Sequence, residues 1–275
     1  MKHTNKLIFT ALFAAACGGM CMACSSSKEL KGNNRDVTLT RNVGYFSQIQ
    51  SLGHADIQFA QGATNSVRIV GPKSDADNIV LEKNGDALVI KYKGSGKWFN
   101  NDGDDVTVYI TSTDITAVNL SGSGSFRATS DIDTDRFRVT IKGSGDVTLR
   151  NVVCDDATLE TRGSGDIAAT GIDTRSARVT CIGSGDIAIK SIKADNADFL
   201  VRGSGDISTV LRNATTTNMT IYGSGDIAAK MIGCGSATVA TYGSGDITLS
   251  GSLGSLNQTS KGSGDINIDR LTLGK

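Results

Sequence analysis

Seven aspartates recur at one place in a repeated tetrapeptide. Asp146, Asp166, Asp186, Asp206, Asp226, Asp246 and Asp265 each close a Gly-Ser-Gly-Asp motif. A row of carboxylates can do three kinds of chemistry. Hard oxygen ligands suit calcium. Two carboxylates about 5–5.5 Å apart can serve a retaining glycosidase. An aspartate beside a turn can accept backbone N–H groups and cap it. The motif begins at Gly143, Gly163, Gly183, Gly203, Gly223, Gly243 and Gly262, and a degenerate copy, GSGS, begins at Gly122. The spacings are 21, 20, 20, 20, 20, 20 and 19 residues. A catalytic site is singular, whereas a motif found once per unit belongs to the architecture. The units also differ by no more than one residue, so no long loop leaves a coil to build a cleft. The column therefore reads as structural, with calcium as the alternative. Against calcium, Lys142, Arg162, Arg202 and Lys261 lie four residues before the aspartates and could neutralise the row. The nine-residue calcium repeat of β-helical toxins is not matched.

Two other groups could carry chemistry. Tyr222 and Tyr242 occupy the same position of successive units, between Arg202 and Lys261. They read either as a strip for sugars or peptides or as cross-strand packing. Trp98, the sole tryptophan, and Phe99 lie in the irregular stretch Lys93–Asp105. They could insert into a ligand or partner, or fold back onto the end of the repeat. The GSGK at Gly94 lacks the spacing of a phosphate-binding loop. His54 is the only histidine beyond the leader, which removes His-based acid–base chemistry from most of the chain.

The elements that position these residues follow from a period of two. Numbering each unit from its first glycine, position 5 is Val147, Ile167, Ile187, Ile207, Ile227, Ile247 and Ile266. Position 17 is Val139, Leu159, Val179, Phe199, Met219 and Val239, and position 15 is mostly alanine. Odd positions from 15 through 7 are apolar or small and even ones mostly polar, which is the signature of strands. The alternation runs through GSGD, so its glycines are expected on the inward side, at a bend or where opposite walls approach. Ser and Asp then face outward, and positions 8–14 form a shorter second side. A twenty-residue unit without helical period fits neither an α-solenoid nor a propeller blade. The expected fold is all-β: a parallel β-solenoid (β-helix) with ~20-residue coils about 4.8 Å apart. Residues 122–275 form the repeat, continuous with a strand-rich cap and first coils over 35–121. Short alternating runs in that cap are Asp56–Ala60, Val67–Val70, Ile79–Leu81, Ala87–Tyr92, Val106–Ile110 and Val118–Leu120, with a turn at Asn84-Gly85. The C-terminal end lacks a comparable cap. Only Asp269, Arg270 and Lys275 discourage edge pairing there, so end-to-end or homo-oligomeric association is expected.

The leader sets the compartment. Lys2, His3 and Lys6 precede the apolar run Leu7–Ala16, followed by Cys17, Cys21, Cys24 and a serine linker. This reads as a lipoprotein signal over 1–23, with lipidation at Cys24 and a linker over 24–34. Cys17 and Cys21 are the alternative acceptors. The partner so implied is a membrane, reached through a lipid anchor. The apolar run is too short for a transmembrane span. Cys154, Cys181 and Cys234 remain. Cys154 and Cys234 share a position but lie four coils, or about 19 Å, apart, beyond disulfide reach. All three are expected free and buried. Lys+Arg and Asp+Glu both number 28, and removing Lys2 and Lys6 leaves about −2, so nothing points to nucleic acid.

The run Val43-Gly-Tyr-Phe-Ser-Gln-Ile, then Ala55-Asp-Ile-Gln-Phe, Ser66-Val-Arg-Ile, Ala87-Leu-Val-Ile, Val106-Thr-Val-Tyr-Ile and the repeated GSGDI resemble the head GIN domain family over roughly 40–268. Those are secreted or lipid-anchored proteins common in Bacteroidota and associated with autotransporter adhesins. The resemblance implies a β-solenoid in the cell envelope and brings no catalytic residues. The expectation is a non-enzymatic module that binds glycans or proteins of the host or envelope, anchored in the bacterial outer membrane on its surface or periplasmic side. A structural or sensory scaffold facing the periplasm is the second reading, and a polysaccharide-active enzyme the third. No cofactor is expected beyond calcium at the aspartate column.

Overall fold

Each unit folds into one coil of a parallel β-solenoid of about eight turns. The computed structural model describes residues 36–93 and 106–274. Cys24, Trp98 and Phe99 lie outside them. In the coil around Gly163, Asp156–Gly163 is one strand and Ile167–Asp173 the next. The motif between them is a corner. Alternation persists across it, yet the strand does not, which corrects the expectation of one strand running through GSGD. A second corner falls at Thr174–Arg175. Alternation also breaks inside the second strand, where Thr170 is exposed and Gly171 partly exposed. The second side thus spans positions 5–11, the same seven residues in length as the expected 8–14 but three positions nearer the corner.

Successive coils pair in parallel register. Leu159 lies beside Val139 and Val179, and Phe199 beside Met219. Ile167, Ile187, Ile207, Ile227 and Ile247 form the second unbroken column. All five are at most 1% exposed, and each isoleucine so removed from water contributes roughly 1.5–3 kcal/mol. One-residue differences between units are absorbed on the second side. The extra residue of the 21-residue spacing falls between Ala128 and Ile132, and register shifts follow Ile189 and Met231. The strand before the corner and the corner itself keep their register.

The N-terminal segment does not stack in chain order. Gln48–Gly53 pairs in parallel with Ala117–Gly122 on one side and Ala87–Tyr92 on the other. Asp56–Gln61 likewise sits between Phe126–Ala128 and Thr107–Ser112. The strands Ala87–Tyr92 and Thr107–Ser112 therefore lie outside the coil built from 48–61. Antiparallel strands cover this end: Asp36–Arg41 pairs with Ser66–Pro72, which pairs with Thr107–Ser112. Ile79–Asn84 and Ala87–Tyr92 form a hairpin through Gly85, whose φ is +58°.

The other end changes in composition. In the last full coil the inward columns become polar: Val239 is followed by Gln258, and Thr241 by Ser260. Both Gln258 and Ser260 are exposed. A terminal repeat that shows polar groups outward is what a solenoid end requires. Gln258 and Ser260 join Asp269 and Arg270 as polar side chains at this end, but among the described residues Ile266–Leu273 pairs only with the coil before it, and no antiparallel strand covers it as at the other end.

Candidate binding surface

The corner sets the chemistry of the aspartates. The Gly183 carbonyl accepts two N–H groups from the next coil, Ser204 at 2.8 Å and Gly205 at 3.2 Å. That draws the corners so close that a Cβ on Gly205 would sit 2.1 Å from the Gly185 carbonyl oxygen. Gly203 has φ +140° and would meet the Gly183 oxygen at 2.2 Å. The glycines are thus required by approach along the stack, from coil to coil, and not by an opposite wall.

Each aspartate but the last is tied to the coil that follows it. The N–H of Asp226 donates to Oδ1 of Asp206 at 2.8 Å. The same bond runs from Asp146 to Asp265 at 2.7–2.9 Å. Parallel pairing leaves this N–H without a strand partner at the corner, and the carboxylate of the coil before supplies one. The aspartates therefore cap the next coil rather than their own turn. Three of the four cations expected beside them are used elsewhere. Arg162 pairs with Glu160, while Arg202 and Lys261 lie over tyrosine rings. Among the described residues no three His, Cys, Asp or Glu side chains converge on a metal-sized site.

A further corner escaped the sequence reading. Gly53-His54-Ala55-Asp56 occupies the GSGD position in the coil of 48–61. Gly53 has φ +137° and pairs with Gly122. Oδ1 of Asp56 accepts the N–H of Ser125 at 3.0 Å and its hydroxyl at 2.6 Å. Only Gly and Asp survive from the motif, and 69 residues separate Gly53 from Gly122, so the period hides it. Position 19 also caps the corner. Oγ1 of Thr161 and Thr241 donates to the carbonyl of Gly165 and Gly245 at 2.6 and 2.7 Å. Sγ of Cys181 donates likewise to Gly185 at 2.9 Å. Burial raises the Cys181 thiol pKa to about 11. Cys154, Cys181 and Cys234 are free and buried, as expected.

The tyrosines form the most developed surface feature of the regular stack. The rings of Tyr222 and Tyr242 stack at 5.0 Å with 9° between planes. Arg202 lies 5.4 Å from the outer face of Tyr222, and Lys261 lies 5.8 Å from that of Tyr242. The order Arg–Tyr–Tyr–Lys follows the stack axis, because position 20 of each coil meets its counterpart. Tyr222 and Tyr242 remain 46% and 37% exposed. Both faces of both rings are occupied, so a sugar ring cannot stack on them. Their edges and hydroxyls stay free to contact a ligand.

The model of the family described as "Putative auto-transporter adhesin, head GIN domain" matches residues 45–215 and 209–275. The chain belongs to this family. Solved relatives share the head GIN fold. The crystal structure of a "putative adhesin" from Parabacteroides merdae superposes with a TM-score of 0.77 at 20% identity, covering 86% of this chain and 97% of that one. A "putative lipid binding protein" from Parabacteroides distasonis gives 0.73 at 26% identity over 86% and 97%. A "putative adhesin" from the same species gives 0.74 at 20% identity over 86% and 98%. No curated protein matches the chain. No helix among the described residues of this head GIN chain is long and apolar enough to cross a membrane.

Proposed function

We propose that this head GIN chain is a non-enzymatic adhesion module of the bacterial envelope. It is lipid-anchored at Cys24 in the outer membrane and holds an extended glycan or protein along its stack axis. The observation that carries this reading is the exposed Arg202–Tyr222–Tyr242–Lys261 ladder. Columns of identical spacing present the same kind of contact to successive units of a polymer, and weak contacts so repeated sum to avidity. Because the ring faces are occupied, the contacts are made by phenol hydroxyls, ring edges and the flanking cations. The name of the lipid-binding relative fits less well inside the coil, where packed isoleucine, leucine and valine columns fill the interior of the described stack. The test is an array of glycans and matrix proteins probed with wild type and with Tyr222→Ala plus Tyr242→Ala. Binding that weakens in the variant supports the reading; an array blank for wild type sinks it. The aspartate ladder favours a second reading, a rigid spacer or platform facing the periplasm, which predicts a blank array and a protein hidden from reagents outside the cell.

A further inference from the structure

We infer that the chain carries a second binding site, for a carboxylated saccharide, where the regular stack meets the N-terminal coils. The inference rests on the reading of the chain as a glycan-binding adhesion module.

On the outer face before the corner, Gln48, Ala117 and Arg138 stand side by side in three successive coils. The middle residue has only a methyl group, and its neighbours are long. The result is a notch of about 560 Å³. Ala117 is its floor, 8% exposed. Asn119, Arg136 and Asp156 complete its walls. The position is singular. In the coils beyond, this column runs Thr158, Arg178, Asp198, Asn218, with no residue so short between two so long. The notch also lies beside the one 21-residue spacing in the chain. A repeated feature belongs to the architecture, and this one occurs once.

Its chemistry selects the ligand class. Four exposed guanidiniums on this stack, those of Arg150, Arg162, Arg175 and Arg178, have carboxylate partners, while Arg202 lies over Tyr222 and Arg212 donates to Ser191. Arg136 and Arg138 are exposed, and neither has an ion-pair partner among the described residues. Two free planar forks on one wall match a carboxylate bidentately. The carboxamides of Gln48 and Asn119 both donate and accept, as sugar hydroxyls require. Asp156, and Asp135 at the rim, accept from hydroxyls and keep the notch near neutral, so it does not serve as a general anion trap. A uronic-acid unit offers this combination: one carboxylate, several hydroxyls and a ring small enough for the space.

The experiment is calorimetric titration of the mature chain with trigalacturonate and with its neutral galactose counterpart. Three proteins are compared: wild type, Arg136→Ala plus Arg138→Ala, and Tyr222→Ala plus Tyr242→Ala. Both arginines are exposed, so the arginine variant is expected to melt within about 2 °C of wild type, given the small effect of surface substitutions. Trigalacturonate should bind wild type and the tyrosine variant alike, and bind the arginine variant at least ten-fold more weakly. The neutral trisaccharide should bind weakly to all three. Gln48→Ala plus Asn119→Ala should weaken both sugars without changing their ratio. Equal affinity of wild type and arginine variant overturns the site, as does no preference for the acidic sugar. A polyglutamate peptide that binds more tightly than trigalacturonate also overturns it, in favour of acidic protein segments. If trigalacturonate fails while arrays remain positive and tyrosine-dependent, the notch falls and the adhesion reading stands. If arrays are blank as well, both fall.

Discussion

The regular stack and the N-terminal coils solve the same corner differently. From Gly143 to Asp265 every corner is Gly-Ser-Gly-Asp, and every aspartate but the last accepts one bond from the next N–H. In the coil of 48–61 the corner is Gly-His-Ala-Asp, and Asp56 makes two bonds to Ser125. The second glycine is needed where the corner of the coil before approaches its backbone, as the Gly185 carbonyl approaches Gly205. Ala55 holds that position in the N-terminal coil with a buried methyl group, and its own carbonyl approaches Gly124 of the coil that follows. The difference teaches that GSGD is a stacking requirement. It fixes how coils sit on one another and leaves the outer face to vary. Variation then supplies surface chemistry: a tyrosine ladder in the uniform half, and a notch where the irregular coils join it.

The comparison breaks most sharply at the second glycine. Gly205→Ala is expected to destabilise by about 3 kcal/mol or more, since its Cβ has a fixed carbonyl 2.1 Å away. Ala55→Gly, at the same position in the N-terminal coil, should stay within about 1 kcal/mol. Urea denaturation of both measures the contrast, and equal costs would undo the stacking argument.

The position-19 column sharpens it next. A thiol whose folded pKa lies near 11, above an ordinary thiol near 8.5, favours the folded state fully at neutral pH. That contribution, on the order of 2 kcal/mol, is lost as pH rises from about 9 through 11. Thermal melts of wild type should therefore fall over this window relative to Cys181→Thr, which keeps the bond to Gly185 in the manner of Thr161 and Thr241. Parallel pH curves would show that the thiol is not held as described.

Smaller effects separate the aspartates. Asp56→Ala should cost roughly 1.5 kcal/mol, having two bonds and partial burial, and Asp206→Ala about 1 kcal/mol or less. Asp206→Asn keeps an acceptor and should be close to neutral. The same melts run in millimolar calcium and in chelator test the alternative role of the column: equal melting temperatures leave the ladder as its whole task, and a calcium-dependent rise lost in Asp206→Asn would restore calcium. Among the truncations to alanine the smallest is Tyr222→Ala, at about 0.5 kcal/mol for one exposed cross-strand pair. A much larger loss would make the ladder a structural brace rather than a contact surface.

The isoleucine columns, the coil length and the outward aspartates were legible because alternation is a local pattern. The partner of each aspartate was not, since Asp226 meets Asp206 only after coils stack. The same holds for the polar Gln258 in an otherwise apolar column of the last coil, which becomes visible once its column is known. The strands 87–92 and 107–112 outside the coil of 48–61 break the rule that neighbours in sequence are neighbours in the stack, and no local pattern encodes it. The tyrosine pair was found at its twenty-residue spacing, but the occupancy of its ring faces depends on side-chain geometry. The notch brings Gln48 beside Ala117 and Arg138 across 69 and 21 residues, through a coil whose motif is nearly erased.

The central claim, that this surface meets partners outside the cell, is tested most directly by labelling intact producing cells with a membrane-impermeant amine reagent. The readout is modification of Lys190 and Lys230, which are exposed on the second side of the stack. The adhesion account predicts both lysines modified in intact cells as fully as in lysed ones. Lysines protected until the outer membrane is broken would contradict it and leave the rigid periplasmic platform in its place.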